Sequence, residues 1–164
     1  MNFQAVSIDN IELKRSVRGS YEIKSSGKNI EFWTPELFVP FGLESKYNDY
    51  FLNLELIETR DPGVELFQYF IVSLEEKLLE LLGAEKEEFN SQLRNTEDNT
   101  ILYTKLLQKN SKILTEFKNS DNENLNIFNL EKRVYVKLRL FVDRIWFSKK
   151  KFFYKYKIKE IVLV

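Results

Sequence analysis

Apolar and polar residues alternate one by one along much of this chain, and this pattern constrains the fold more than any other feature. The clearest run covers positions 134–142, where every second residue is apolar: Val134, Val136, Leu138, Leu140 and Val142. A period of two places such residues on one face of a β-strand. Shorter alternating runs bounded by turn residues occur elsewhere, so the sequence predicts a domain made mainly of short strands.

The N-terminal part predicts three of these strands. Residues 11–18 alternate, and residues 21–24 and 29–33 flank the polar segment 25–28. Gly27 in that segment supplies the positive φ that a tight hairpin turn requires.

Two prolines mark the next segment. Each proline removes a backbone donor, so we expect Pro35 and Pro40 to interrupt regular strand pairing. The stretch 35–42 is more apolar than a solvated loop, and we expect it to pack along the body of the domain. Residues 50–57 resume the alternation and predict a fourth strand.

One segment changes to helical spacing. Asp61 suits a helix cap, Pro62 suits the first helical position, and Gly83 suits the end of a helix. Between them, apolar residues recur three and four positions apart: Phe67, Phe70, Ile71, Leu74, Leu78, Leu81 and Leu82. The pattern predicts a helix of about five turns whose apolar stripe belongs to the core rather than to a docking face, because a helix needs that burial to be stable.

The remaining predicted elements are, in order, a short polar helix (84–93), a loop (95–99), a hairpin (101–118), a connection (119–129) and two closing strands (134–142 and 152–163). This order predicts one domain, 1–164, of the mainly β (α+β) class. The architecture we predict is an OB-like five-stranded barrel with additional strands and one inserted central helix. The helix of an OB barrel follows the third barrel strand, and we assign the predicted helix to that position.

The composition excludes most catalytic chemistry. The 164 residues include no Cys and no His, which rules out zinc fingers, thiol nucleophiles and imidazole bases, and neither a P-loop nor a G-x-G-x-x-G motif is present. We interpret the glutamates of the helical region as a solvated face rather than a metal or acid–base cluster: Glu75, Glu76, Glu80, Glu85, Glu87 and Glu88. We therefore predict a protein that is not an enzyme and needs no cofactor or metal.

No apolar run approaches the roughly 18 residues that span a bilayer, and residues 1–10 lack the features of a signal peptide. We expect an intracellular protein that is neither secreted nor membrane-bound.

The net charge of zero conceals a strong polarity along the chain. Residues 130–160 hold eleven basic and three acidic side chains, a net charge of +8, and the rest of the chain is therefore −8. Aromatic residues interleave with these cations at alternating positions of the two closing strands. Cations that follow phosphates and rings that stack on unpaired bases are what single-stranded nucleic acid requires.

Near Asp143 the inward apolar residues change from even-numbered to odd-numbered positions, with Ile145 and Phe147 as the inward pair. This change predicts a bulge that turns Trp146 outward. The residues that we predict to bind nucleic acid are Tyr135, Lys137, Arg139, Phe141, Arg144, Trp146, Lys150, Phe153, Lys155 and Lys157. Three cations of the first strand could extend this surface: Lys14, Arg15 and Arg18. The alternative interpretation is a solvated sheet face whose lysines prevent edge pairing, with Trp146 in the core and Lys150 in a solvated turn.

The run Phe32-Trp33-Thr34-Pro35-Glu36-Leu37-Phe38-Val39-Pro40-Phe41-Gly42-Leu43, with the later helix and basic hairpin, resembles the OB-fold single-stranded DNA-binding proteins of large nucleocytoplasmic DNA viruses. These are similar to replicative ssDNA-binding proteins of certain tailed phages. The resemblance implies a protein that coats ssDNA during replication and recombination in the host cytoplasm or nucleus, and that recruits replication proteins. RNA is an alternative ligand.

The sequence departs from the phage proteins in one respect. Those proteins have an acidic C-terminal tail that contacts partners, whereas this sequence ends Lys159-Glu160-Ile161-Val162-Leu163-Val164. The alternative function is a structural or assembly protein of a virus particle or complex that acts through protein–protein contacts.

Overall fold

The computed structural model describes residues 1–16, 19–57 and 60–164. The described strands are β1 (Ile11–Arg15), β2 (Tyr21–Ser25), β3 (Lys28–Trp33), β4 (Leu37–Val39), β5 (Leu43–Lys46), β6 (Asp49–Glu55), β7 (Leu93–Asn95), β8 (Thr100–Leu106), β9 (Gln108–Lys109), β10 (Lys112–Ile113), β11 (Glu116–Lys118), β12 (Val134–Val142), β13 (Arg144–Ser148), β14 (Lys151–Tyr154) and β15 (Tyr156–Leu163). The helix α1 spans Gly63–Leu82, and short 3₁₀ turns occur at Phe3–Ala5, Ile8–Asn10, Lys86–Glu88 and Ile127–Asn129. Val17 and Arg18, which the alternation assigned to the first strand, lie outside the described residues.

Five barrel strands form a closed hydrogen-bonded ring. β4 pairs with β6, β6 with β8, β8 with β15, β15 with β12, and β12 returns to β4. The β8–β15 pairing is parallel and the other pairings in the ring are antiparallel. β3 and β4 act together as the first barrel strand because both pair with β12. This is the arrangement of an OB barrel, and the predicted fold class is confirmed.

The interior of the barrel contains the apolar residues that the alternation assigned to it. Val136, Leu138 and Leu140 of β12 are fully buried, as are Leu52 and Leu54 of β6. The period-two pattern therefore identified the core face of these strands correctly.

Next to Pro35, the side chain of Thr34 continues the hydrogen bonding between the first barrel strand and β12. The backbone N–H of Thr34 donates to the carbonyl of Leu138 at 2.9 Å, and the Thr34 hydroxyl accepts from the N–H of Leu138 at 3.0 Å. Three residues, 34–36, therefore oppose two residues of β12, which is a bulge. The prediction that Pro35 and Pro40 interrupt regular pairing is confirmed, because β3 ends at Trp33 and β4 spans only Leu37–Val39. The expected packing of the 35–42 stretch on the body is confirmed by buried Leu37 and Val39.

The helix lies between the second and third barrel strands, β6 and β8, and not after the third strand as predicted. The difference arises because β1 and β2 pair outside the ring, so only two barrel strands precede α1. The predicted stripe is confirmed as core, since Phe67, Ile71 and Leu74 are fully buried, although Leu81 is exposed.

The helix α1 begins at Gly63 with Pro62 as its N-cap, so Pro62 is not the first helical residue that the sequence predicted. The carboxylate of Asp61 accepts from the N–H of Gly63 at 2.8 Å and from the N–H of Glu36 at 3.0 Å, which ties the start of the helix to the barrel. Gly83 ends the helix with φ +62°, a conformation that favours glycine.

At Asp143 the chain leaves the barrel. β12 pairs with β3 as far as Val142, and β13 then pairs with β2, whose Ile23 N–H donates to the carbonyl of Asp143 at 3.0 Å. Between β12 and β13 the buried side chains change from even-numbered to odd-numbered positions, which confirms the change predicted near Asp143. The predicted pair of closing strands is instead four strands, because β13 and β14 form a separate hairpin before β15 rejoins the barrel.

Three local predictions in the middle of the chain differ from the structure. The short helix predicted for segment 84–93 is only a three-residue 3₁₀ turn. The Glu75 carboxylate accepts hydrogen bonds from the Gln92 N–H at 2.9 Å and from the Ser91 hydroxyl at 2.6 Å, and these bonds direct the chain into β7. β5 and β7 were not predicted. The hairpin predicted for 101–118 is reduced to β9 and β10, since β11 pairs in parallel with β15.

Candidate nucleic-acid interface

An open cavity of about 480 Å³ lies against the outer surface of β6 and β8. We call this cavity the groove. Its lining residues come from β5, β6, β7, β8, the segment before β7 and the residue after β14: Glu44, Ser45, Lys46, Phe51, Asn53, Asn90, Ser91, Gln92, Arg94, Tyr103, Thr104, Lys105 and Lys155.

The alternation of β6 and β8 places aromatic and basic side chains on this surface. Because Leu52 and Leu54 point into the barrel, Phe51 and Asn53 point outward. In the register of the two strands, Phe51 is opposite Lys105, and Asn53 is opposite Tyr103. An aromatic ring and a cation therefore lie next to each other at the floor of the groove.

The positive charge of the groove is only partly neutralised. Lys105 forms an ion pair with Asp49 at 3.2 Å, and Glu44 accepts a hydrogen bond from the amide of Asn53 at 2.7 Å. Lys155 has no ion pair within the described part of the chain. Burial, and then the nearby charge of Lys105, lower the pKa of the Lys155 ammonium, so an anion bound here would remove an existing electrostatic penalty.

Flat side chains accompany these cations. The guanidinium of Arg94 lies 5.5 Å from the centre of the Tyr103 ring. On the β13–β14 hairpin, the rings of Trp146 and Phe153 stack with centroids 6.0 Å apart and an angle of 20° between them. Trp146 is 36% exposed, as predicted, whereas Phe147 is 53% exposed and the prediction that it points inward is wrong. Phe147 packs instead on Phe152 across the hairpin, with ring centroids 4.8 Å apart.

Two connections between barrel strands lie at positions where OB folds bind oligonucleotides. Those positions are the surface of the second and third barrel strands and the connections between strands one and two and between strands four and five. Here β5 belongs to the first connection and the β13–β14 hairpin to the second. Lys46 belongs to the groove, and Lys150 is exposed in the turn of the second hairpin.

The other predicted residues lie on a different surface, the outer face of β12 and β15 with its β3 neighbour. We call it the β12–β15 face, and it contains the predicted Tyr135, Lys137, Arg139, Phe141 and Lys157, together with Glu31, Trp33, Asp143, Lys159 and Glu160. The remaining five predicted residues, Arg144, Trp146, Lys150, Phe153 and Lys155, belong to the β13–β14 hairpin or the groove. The structure thus divides the predicted site into two.

Most cations of the β12–β15 face are paired with carboxylates. Arg139 contacts Glu31 at 3.1 Å and Glu160 at 3.2 Å. Lys159 contacts Glu31 at 2.7 Å. Burial alone would raise the pKa of Glu31, but the hydrogen bond and charge of Lys159, with those of Arg139, outweigh burial and lower it. Tyr135 packs on Phe38, with centroids 5.2 Å apart, and under the guanidinium of Arg60.

The sequence prediction missed all five of the aromatic and basic residues, other than Lys155, that line the groove: Lys46, Phe51, Arg94, Tyr103 and Lys105. A signal was present, because the outward positions of the two alternating runs hold Phe51, Asn53, Tyr103 and Lys105. It could not be used without knowing that these two runs are neighbours in the barrel.

No group of three or more acidic side chains in ranges 1–16, 19–57 and 60–164 is arranged to hold a metal ion. Likewise, no helix within those ranges is both long and apolar enough to cross a membrane.

No known protein family matches the chain, and no curated protein matches it in sequence. Solved structures share its fold. The "Single-stranded DNA-binding protein from bacteriophage Enc34" aligns with a TM-score of 0.58 at 8% identity over 93% of this chain and 88% of that one. The structure of that protein "in complex with ssDNA" gives 0.58 at 7% identity, over 95% and 96% of the two chains. The form with a "C-terminal truncation" gives 0.54 at 7% identity, over 96% of each.

These likenesses place the fold with an OB-barrel protein of a phage. The resemblance to the proteins of large nucleocytoplasmic DNA viruses stays a prediction.

Proposed function

We propose that this protein is a non-enzymatic single-stranded DNA-binding protein, and that the groove on β6 and β8 holds the strand. The observation that carries the proposal is the position of Lys155 beside Lys105, next to the outward rings of Phe51 and Tyr103. Phosphates relieve the repulsion between such cations, and rings of this kind accept bases without regard to sequence. The likeness in fold to a phage protein solved with ssDNA supports the same assignment.

The β13–β14 hairpin extends this surface. Trp146 stacked on Phe153 offers a further ring to a base, and Arg144 and Lys150 are exposed cations on the same hairpin. We propose that the strand passes from the groove onto this hairpin. The corresponding biological role is coating of ssDNA during replication or recombination of a viral genome inside an infected cell.

A fluorescence titration with oligo(dT) at several salt concentrations tests the proposal. Replacing Lys105 and Lys155 together by Gln should weaken binding and reduce the slope of log K against log salt by about 0.7 for each phosphate that the protein no longer neutralises. The matched control replaces Lys109 and Lys112, two exposed lysines of the β9–β10 hairpin outside the groove, and should leave the slope almost unchanged.

Two results would contradict the proposal. One is affinity for oligo(dT) no greater at low salt than that of an acidic control protein, which would favour the structural or assembly role. The other is an equal decrease of slope in the groove variant and in its control, which would show that binding is not localised in the groove.

A further inference from the structure

The β12–β15 face has the same ingredients as the groove but a different charge balance. The ring of Phe141 lies between two lysines, with the ammonium of Lys157 at 5.6 Å and that of Lys159 at 5.2 Å from its centre. The guanidinium of Arg139 lies 5.9 Å from the centre of a Trp33 ring. Cations and half-buried rings therefore alternate across three strands, as a stacking surface for ssDNA would require.

Carboxylates contact most of the cations of this face. Glu31 bridges two cations on two different strands, Arg139 of β12 and Lys159 of β15. Glu160 contacts Arg139 from the other side, and Asp143 contacts Lys157 at 3.3 Å. The Glu31 side chain is 31% exposed, so its pairs are formed at the surface and not in the interior.

Such pairing removes the attraction for a polyanion. Counterions are released when a cation neutralises a phosphate, and a cation that a carboxylate already neutralises gains little by exchanging one anion for another. On the described part of this face, Lys137 is the cation without an ion pair, so a strand would find one available charge rather than four.

We propose that Glu31 determines where ssDNA binds, by neutralising Arg139 and Lys159 and thereby keeping the strand off the β12–β15 face. Removal of the Glu31 charge then opens a second ssDNA-binding surface, because it releases Lys159 beside Phe141 and leaves Arg139 with Glu160 alone. The inference that wild-type protein uses the groove rests on the proposed function, whereas the existence of the masked second surface does not.

The test uses Glu31→Gln in the full chain, both alone and combined with the groove variant Lys105→Gln/Lys155→Gln. Oligo(dT) binding is measured by fluorescence at several salt concentrations. We expect Glu31→Gln to restore binding to the groove variant by about tenfold at low salt. It should also steepen the salt slope by about 0.7, as one additional neutralised phosphate requires, because Lys159 is released while Arg139 keeps its pair with Glu160. Glu76→Gln on α1 is the matched control, because Glu76 is exposed and its replacement removes the same charge from a different surface.

A second variant guards against a folding defect. Asp143→Asn releases Lys157 beside Phe141 without touching Glu31, and we expect an increase of the same kind, a slope change of about 0.7 for one neutralised phosphate. Thermal melting of each variant establishes that the compared proteins are folded. If Glu31→Gln were unfolded, the Asp143→Asn result would decide the matter by itself.

The possible outcomes separate the inference from the proposed function. Folded Glu31→Gln and Asp143→Asn proteins that bind like wild type, or that gain no more than Glu76→Gln, overturn the inference. Wild type that does not bind, with a Glu31→Gln variant that does, supports the masked surface and contradicts the groove. Absence of binding in every protein overturns both.

Discussion

Lys155 lies beside Lys105 in the groove, close enough that the positive charge of Lys105 adds to burial in lowering the pKa of the Lys155 ammonium. Repulsion of this kind is a cost in the protein alone and a gain when a phosphate binds. The two lysines are brought together by different strands, because Lys105 belongs to β8 and Lys155 connects β14 to β15. The parallel β8–β15 pairing is therefore what assembles the site.

The first prediction concerns pH. Because the pKa of Lys155 in the protein without DNA is below its usual value of about 10.4, Lys155 should lose its proton before ordinary lysines do. Affinity for oligo(dT) should therefore begin to fall at a lower pH than the titration of ordinary lysines would produce, and Lys155→Gln should lack this part of the decline. Binding isotherms from pH 7 to 10 measure it, and identical pH profiles in the two proteins would contradict the assignment.

The same shift predicts the sign of a stability effect. The folded state disfavours charged Lys155, so the unfolded state binds more protons between the two pKa values, and the contribution of this residue becomes more favourable as pH rises through the lowered pKa. The free energy of unfolding of wild type should therefore increase relative to Lys155→Gln over that range. Urea denaturation of both proteins at pH 7 and pH 10 provides the comparison.

The second prediction separates stacking from charge in the groove. Replacing Tyr103 by Leu should weaken oligo(dT) binding by roughly 1 to 3 kcal/mol, because the variant lacks a ring that accepts a base. The salt slope should stay almost unchanged, since the same number of phosphates is neutralised. Tyr69→Leu is the control, because Tyr69 is exposed on α1 outside the groove. Equal decreases in affinity in both variants would exclude Tyr103 from the binding surface.

What the sequence could predict was local, and what it missed depends on pairing between distant segments. The parity of 134–142 and the end of α1 at Gly83 are properties of neighbouring residues, and both were predicted correctly. The position of Glu31 against Arg139 joins residues 108 apart in sequence, and only the β3–β12 register brings them together. Alternation therefore identified the outward cations of β12 but could not show that carboxylates from β3 and β15 neutralise them.

The third prediction concerns the bulge at Thr34. Thr34→Val keeps the size of this buried side chain but removes the oxygen that accepts from the Leu138 N–H, which leaves a buried donor without a partner. We expect a decrease of about 1 to 3 kcal/mol in the free energy of unfolding. Thr34→Ser keeps the hydroxyl and should retain more of the stability. Urea denaturation of the three proteins tests this, and a Val variant more stable than the Ser variant would show that the hydrogen bond is unimportant.

The last prediction concerns Phe141, whose role depends on whether the β12–β15 face is masked. In the wild-type background Phe141→Ala should leave oligo(dT) binding unchanged, because carboxylates neutralise the cations on either side of the ring. In the Glu31→Gln background the same change should weaken binding by roughly 1 to 3 kcal/mol, since the ring is then available to a base.

Stability measurements show whether that comparison is valid. Phe141 is half-buried, so its truncation should cost less than the roughly 3 to 5 kcal/mol typical of a core phenylalanine. Thermal melts recorded beside each binding isotherm would distinguish a variant that has unfolded from one that only lacks a stacking ring. If Phe141→Ala remains folded and weakens binding equally in both backgrounds, the strand already uses the β12–β15 face in the wild-type protein, and Glu31 does not exclude it.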